Sequence, residues 1–292
     1  MKSERTSDSA FRTLLVLGGI AVSVLLIAIF FSLLLTSRHA ILANGFRFIT
    51  GSEWDPVTNT FRSLAFVVGT LVTSLIALVI ATILALALAI LMGEYFKSGP
   101  FSAVMRTAVE LLAGIPSVVY GFIGLFFFVP VVRAIDEPLG LPPFGVGVFT
   151  TALLLAFMIL PYSASIAREM ISLVPSDLKE ASLSLGATRS ETVWKVILPY
   201  ARGGIMGGVL LSLGRALGET MAVTMVIGNA NVLTFNVFAP GNTMASVIAN
   251  EFSEASSDIY LSSLIEIGLL LFVISTLINI AGKVVVNRMA TR

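Results

Sequence analysis

The chain has 292 residues, 57% of them hydrophobic and 12% charged, with a mean hydropathy of +0.98 and a formal net charge of +1. A soluble domain carries about 25% charged residues, so this is an integral membrane protein, and its near-neutral balance argues against a nucleic-acid partner. Cysteine is absent, which excludes disulfides and thiolate metal sites, and no Gly-x-x-x-x-Gly-Lys-Ser/Thr sequence is present, so nucleotide hydrolysis must come from a partner.

Residues 1–12 are polar and include Lys2, Arg5 and Arg12. The apolar run 14–35 is long enough to cross a bilayer. It is longer than a signal-peptide core and lacks a small-x-small cleavage site, so it reads as a retained helix. Residues 36–60 read as a polar loop ending in Gly51-Ser52-Glu53-Trp54-Asp55-Pro56. A second span is expected at about 64–92, followed by a charged connector over 93–106. A third is expected at 108–132, where Pro116 should kink or interrupt the helix. Residues 133–145 form a short Pro- and Gly-rich loop, and the fourth span covers about 147–171, with Pro161 inside. The mixed-polarity stretch 175–199 comes next. A fifth span is expected at 201–227, a long loop at 228–258 with Glu251, Glu254 and Asp258, and a sixth span at 260–282 before a short basic tail. The expected fold is therefore an all-α integral membrane protein, one transmembrane domain of six helices over residues 1–292.

Six spans place both termini on one side. With the termini inside, the inner segments hold most of the cations, among them Lys97, Arg106, Arg168, Lys179, Arg189 and Arg292. The outer segments hold Arg38, Arg47, Arg62 and Arg133. The positive-inside rule then puts both termini and residues 175–199 in the cytoplasm.

Within 175–199 the pattern predicts helix, glycine turn, helix. Pro175, Ser176 and Asp177 are a start signal, with Glu180 where a capping box would place it. Gly186 breaks the pattern. Thr188 and Glu191 form a second capping box. Leu178, Ala181 and Leu185 share one expected face, and Val193 and Ile197 another.

The fifth span contains charges. Arg215 and Glu219 are four apart and are expected on one helix face. A charge at bilayer depth costs roughly 2.5–3.5 kcal/mol even on the lenient insertion scale, so such residues face protein or a water-filled cavity. Gly204, Gly208 and Ser212 continue the stripe and would let another helix approach. Arginine suits a phosphate-like oxyanion, because its planar guanidinium makes two parallel charge-assisted hydrogen bonds at any working pH. Arg215, Glu219 and the adjoining Thr220 are the candidate substrate-pathway residues. A structural Arg–Glu pair without substrate contact is the alternative. Glu110, at the start of the expected third span, and Glu266, in the sixth and free to pair with an arginine, read as structural. The phenylalanines Phe122, Phe126, Phe127 and Phe128 read as lipid-facing or core surface. No residue cluster suggests catalysis or a metal site.

Glu180-Ala181-Ser182, then Gly186, then Val196-Ile197-Leu198-Pro199 resembles the EAA loop of membrane subunits of ATP-binding-cassette (ABC) importers, with Ser182 and Val196 as departures of similar size. Three further segments resemble the permease subunits of phosphate-specific (Pst) importers: Gly51 to Pro56, Leu112 to Gly121, and Arg215 to Thr220. The Trp54-Asp55-Pro56 segment favours the PstC-type subunit. This resemblance implies a type I ABC importer permease fold with a cytoplasmic coupling helix pair. It implies an inner-membrane subunit that is not itself an enzyme, and translocation of inorganic phosphate by alternating access. The implied partners are a PstA-type permease, two PstB-type ATPase copies that carry ATP and magnesium, and a PstS-type phosphate-binding protein. This chain would bind no cofactor. Glu180, Ala181, Gly186, Leu198 and Pro199 would couple to the ATPase, and Arg215 and Glu219 would lie on the phosphate path. A sulfate or molybdate importer is the nearest rival. A secondary transporter or a channel would have no use for the coupling loop.

Overall fold

The computed structural model describes residues 2–290, and the chain is helical nearly throughout. In a bilayer every backbone N–H and C=O needs an internal partner, and helices supply it within each segment. Among the described residues six helices are long and apolar enough to cross a membrane: Phe11–Thr36, Leu64–Tyr95, Ser117–Asp136, Val148–Ser172, Arg189–Leu217 and Asp258–Met289. Of the cations counted above, Arg292 lies outside the described residues.

The first helix, α1 (Lys2–Thr36), is followed by folded structure where a polar loop was expected. Residues 36–60 hold α2 (Arg38–Asn44), α3 (Arg47–Thr50) and a short hairpin, β1 (Trp54–Asp55) antiparallel to β2 (Thr60–Phe61), with Trp54 opposite Phe61. The reason is burial: Phe48, Trp54 and Phe61 pack with Phe66, Met244, Tyr260 and Leu264 in one cluster. In the hairpin turn, the Thr58 hydroxyl and the Val57 N–H donate to Asp55 and hold its carboxyl below the usual range.

Helix α4 (Leu64–Ile90) ends in a wider π-helical turn, Leu91–Tyr95. Its Ala77, Ala81, Ala85 and Ala89, spaced by four, are at most 2% exposed. This stripe of small side chains lets α8 (Val148–Ser172), the fourth span, lie close along α4.

The expected third span, 108–132, is corrected. Pro100 in the first turn opens a separate helix, α5 (Pro100–Gly114), which absorbs much of the expected connector and carries Glu110 on an exposed face. Ile115 precedes a proline and takes extended backbone (ψ 128°), as the proline ring demands. The membrane helix starts only after Pro116, as α6 (Ser117–Ile123), a π turn (Gly124–Phe128) and α7 (Val129–Asp136). The last carbonyls of α5 have no partner within the helix. Two tyrosines supply them: Tyr120 Oη donates to Leu112 O at 2.8 Å and Tyr162 Oη to Ala113 O at 2.9 Å.

The stretch 175–199 folds as α9 (Ser176–Ser184), α10 (Arg189–Thr192) and a π turn, Val193–Ile197, which runs straight into α11 (Leu198–Leu217). The expected fifth span, 201–227, is corrected at both ends. Pro199 lies in the first turn of α11, where a missing N–H costs little, so the membrane helix extends back to Arg189. At the other end Gly218 closes α11, and α12 (Met221–Val226) begins afresh. The expected loop 228–258 contains α13 (Met244–Glu251), opened by a reciprocal Thr243–Ser246 capping box. The last helix, α14 (Asp258–Ala290), outruns the expected 260–282 at both ends.

Three apolar clusters hold these elements. One joins α4, α6, α8 and α12 through residues such as Tyr120, Leu154, Ile159 and Val226. The aromatic cluster sits where α4 and α14 begin. A third joins the far ends of α4 and α8 to the helix pair through Ala89, Ile171, Val193 and Ile197. Helix α1 stands off the bundle, exposed along most of its length, and touches α14 with Phe30 and Phe272 at 5.9 Å between ring centroids.

Candidate functional site

The small-residue face of α11 packs against α8. A Cβ at Gly204 would run into Met170, and one at Gly208 would come within 2.8 Å of Ile166. The Ser163 hydroxyl donates to Ser212 Oγ at 2.7 Å, which donates in turn to Gly208 O at 3.0 Å. This close approach sets the last turn of α11 beside Tyr162 of α8. Arg215 stands in that turn with its guanidinium carbon 4.4 Å from the Tyr162 ring centroid, a cation–π contact. Arg215, Tyr162, Ser212 and Asn279 of α14 line a cavity of about 410 Å³.

The expected shared face of Arg215 and Glu219 does not form. Gly218 separates them, and among the described residues Arg215 has no carboxylate partner. Glu219 instead accepts the Ala222 N–H at 3.3 Å, at the start of α12, and Thr220 Oγ1 donates to Gly218 O at 3.2 Å. The physical reason is the helix dipole: a cation is favoured at the C-terminus of α11 and an anion at the N-terminus of α12. Glu266, expected in the sixth span and free there to pair with an arginine, is only 8% exposed and makes no ion pair among the described residues.

The helix pair mixes expected and unexpected features. The Thr188–Glu191 capping box is present. Gly186 sits at φ +87°, in the left-handed region, with open space around its Cβ position, so backbone conformation alone requires glycine. Val193 and Ile197 are buried together against Ala89, Ala167 and Ile171. The capping box expected at the start of α9 is absent: Pro175 occupies the cap position, and its ring carries no hydrogen-bond acceptor. The expected apolar face of α9 is uncovered, with Ala181 exposed, Leu178 41% exposed and Leu185 90%. What anchors α9 is Lys179, only 9% exposed, whose Nζ donates to Glu94 Oε2 at 2.9 Å. Lys97 reaches the same oxygen at 3.2 Å. A cleft of about 420 Å³ beside this bridge is lined by Glu94, Phe96, Glu180, Leu183 and Arg189.

At the opposite end of α4, Glu251 accepts three hydrogen bonds: from Trp54 Nε1 at 2.7 Å, Tyr260 Oη at 2.6 Å and Asn231 Nδ2 at 2.7 Å. Asn242 extends the network by donating to Asn231 Oδ1 at 2.8 Å. The sequence reading named Glu251 only as a loop charge. It passed over Tyr162, Asn279 and the Glu94–Lys179 bridge, all joined to their partners by long-range packing rather than by local spacing.

The family model for a binding-protein-dependent transport system inner membrane component matches residues 85–291. A phosphate transport system permease protein PstC from Mesorhizobium japonicum is 44% identical over 98% of this chain and 89% of its own length. The chain belongs to the PstC family of ABC-importer permeases. PstC proteins from Pasteurella multocida and Haemophilus influenzae are each 41% identical, over 92% and 97% of the chain and 88% and 94% of their own lengths. The fold is similar to that of solved importer permeases. An inward-facing MetNI methionine ABC transporter gives a TM-score of 0.59 at 18% identity, over 76% of this chain and 93% of that one. An amino acid ABC transporter with histidines gives 0.52 at 20%, over 77% and 92%. The chain is thus an ABC-importer permease with the type I fold, a membrane subunit of such a transporter.

Proposed function

We propose that this PstC-family subunit carries inorganic phosphate across the cytoplasmic membrane in an ATP-driven, alternating-access cycle. One observation carries the reading: Arg215, at the end of α11, faces a cavity between membrane helices with its guanidinium against a tyrosine face and, among the described residues, no carboxylate to neutralise it. Its N–H fork is therefore available to an oxyanion. Glu219 and Thr220 follow Arg215 in the chain just past the Gly218 break, and Glu219 opposes overly tight retention of the anion.

Coupling follows from the helix pair. The uncovered apolar face of α9, with Ala181 and neighbouring Glu180, is the surface for an ATPase subunit. Gly186 sets the angle to α10, and Leu198 and Pro199 carry the motion into α11. ATP and magnesium reside on that ATPase, and this chain holds no cofactor of its own. A PstA-type permease, two PstB-type ATPases and a PstS-type binding protein complete the assembly, with both termini of this chain cytoplasmic. ATP binding and release switch the assembly between two states that present the cavity to opposite sides.

The test is ATP-dependent uptake of labelled phosphate into proteoliposomes holding the full assembly, wild type against Arg215→Ala. The expected result is phosphate import by the wild type, and loss of import at least a hundredfold with ATPase activity retained in the variant. Normal import by the variant would return Arg215 to a structural role. Uptake of sulfate or molybdate in place of phosphate would overturn the substrate while leaving the importer class intact.

A further inference from the structure

A second cavity, of about 210 Å³, lies where α4, α5, α8 and α9 meet. Its lining includes Lys97, Arg106, Arg168 and Lys179, and no acidic residue. Arg106 projects from α5 and Arg168 from α8, and neither guanidinium has a carboxylate partner among the described residues. Lys97 and Lys179 share the single carboxylate Glu94, on the same oxygen. Each ammonium has three N–H donors, so donors remain after that bond. Four cations thus stand against one shared carboxylate, in a pocket whose back wall is tightly built. A Cβ at Gly93 would come within 2.9 Å of Ile171, so the end of α4 is pressed against the end of α8. Arg168 lies about 9 Å further along α8 than Tyr162, so this pocket is separate from the Arg215 cavity.

We propose that Lys97, Arg106, Arg168 and Lys179 form a binding site for a phosphate group, carried either by free inorganic phosphate or by an anionic lipid headgroup. Two unpaired guanidiniums match the paired oxygens of a phosphate, and the two ammonium groups supply point charge. A basic pocket between membrane helices at the level where they leave the bilayer is suited to headgroup phosphates as well as to the free ion. The occupant bridges α5, α8 and α9, and so ties the helix pair to the membrane helices. The site does not depend on the substrate proposed above.

The experiment uses the full chain carrying Arg215→Ala, so that the other cavity does not contribute, reconstituted in nanodiscs of phosphatidylcholine. Labelled inorganic phosphate is titrated by equilibrium dialysis. In parallel the detergent-solubilised chain is titrated with phosphatidylglycerol and followed by native mass spectrometry. At least one ligand binds, and Arg106→Gln with Arg168→Gln weakens it at least tenfold, whereas Lys283→Gln, on α14, leaves it unchanged. Phosphate binding in phosphatidylcholine assigns the site to the free ion. Retained phosphatidylglycerol without phosphate binding assigns it to lipid. Arg106→Gln alone changes an exposed side chain of α5, so a folding failure does not excuse a negative result. Binding of neither ligand, or equal binding by wild-type and double-variant pockets, overturns the proposal.

Discussion

At one end of α4, Glu251 gathers Trp54, Tyr260 and Asn231, while at the other end Glu94 gathers Lys97 and Lys179. Both carboxylates join segments far apart in sequence. Glu251 does so with three neutral donors, two of them on aromatic side chains that belong to a buried cluster. That arrangement spends both oxygens on directional bonds and leaves no mobile counter-charge. Glu94 uses one oxygen for two flexible cations at the edge of a cleft. The first design fixes a surface. The second holds α9 through an attraction that salt weakens.

The comparison is broken most readily at Glu251. Glu251→Ala strands three donors, each costing about 1 kcal/mol or more, so a loss of about 3 kcal/mol is expected. Thermal unfolding of the detergent-solubilised chain would show it, and the loss should be the same in low and high salt. An unchanged midpoint would mean that the aromatic cluster stands without its carboxylate. Glu94→Ala should cost less, about 1–2 kcal/mol, because Lys179 and Lys97 retain some access to water. Here the gap between variant and wild type should shrink in about 1 M salt, where charge interactions are screened within about 3 Å. A salt-independent gap would place Glu94 in the same class as Glu251. The smallest effect is expected from Gly186→Ala, about 1 kcal/mol, from left-handed backbone strain with no steric clash. A larger loss would point to packing that this chain alone does not show.

Much of this architecture was legible in the sequence. Six apolar runs gave six membrane helices, and Pro116 interrupted its helix for the reason proline must. The helix pair could be read because its signals are local: Gly186, the Thr188–Glu191 box, and Val193 with Ile197 one turn apart. What escaped were features decided by partners elsewhere. Gly218 lies inside the expected fifth span, 201–227, so Arg215 and Glu219 were set on one face that the break at Gly218 removes. Residues 36–60 and 228–258 looked like loops because their order comes from Trp54 and Glu251 meeting across the fold. The candidate site was half visible. Arg215 stood out as a charge in an apolar span, but Tyr162 is an ordinary residue until α8 is laid against α11.

Tyr162 touches two things at once: its hydroxyl holds the Ala113 carbonyl at the end of α5, and its ring face lies against Arg215. A phenol has no internal joint between those two contacts. Tyr162 thus ties the end of α5 to the resting place of a positive charge between the membrane helices through a single side chain.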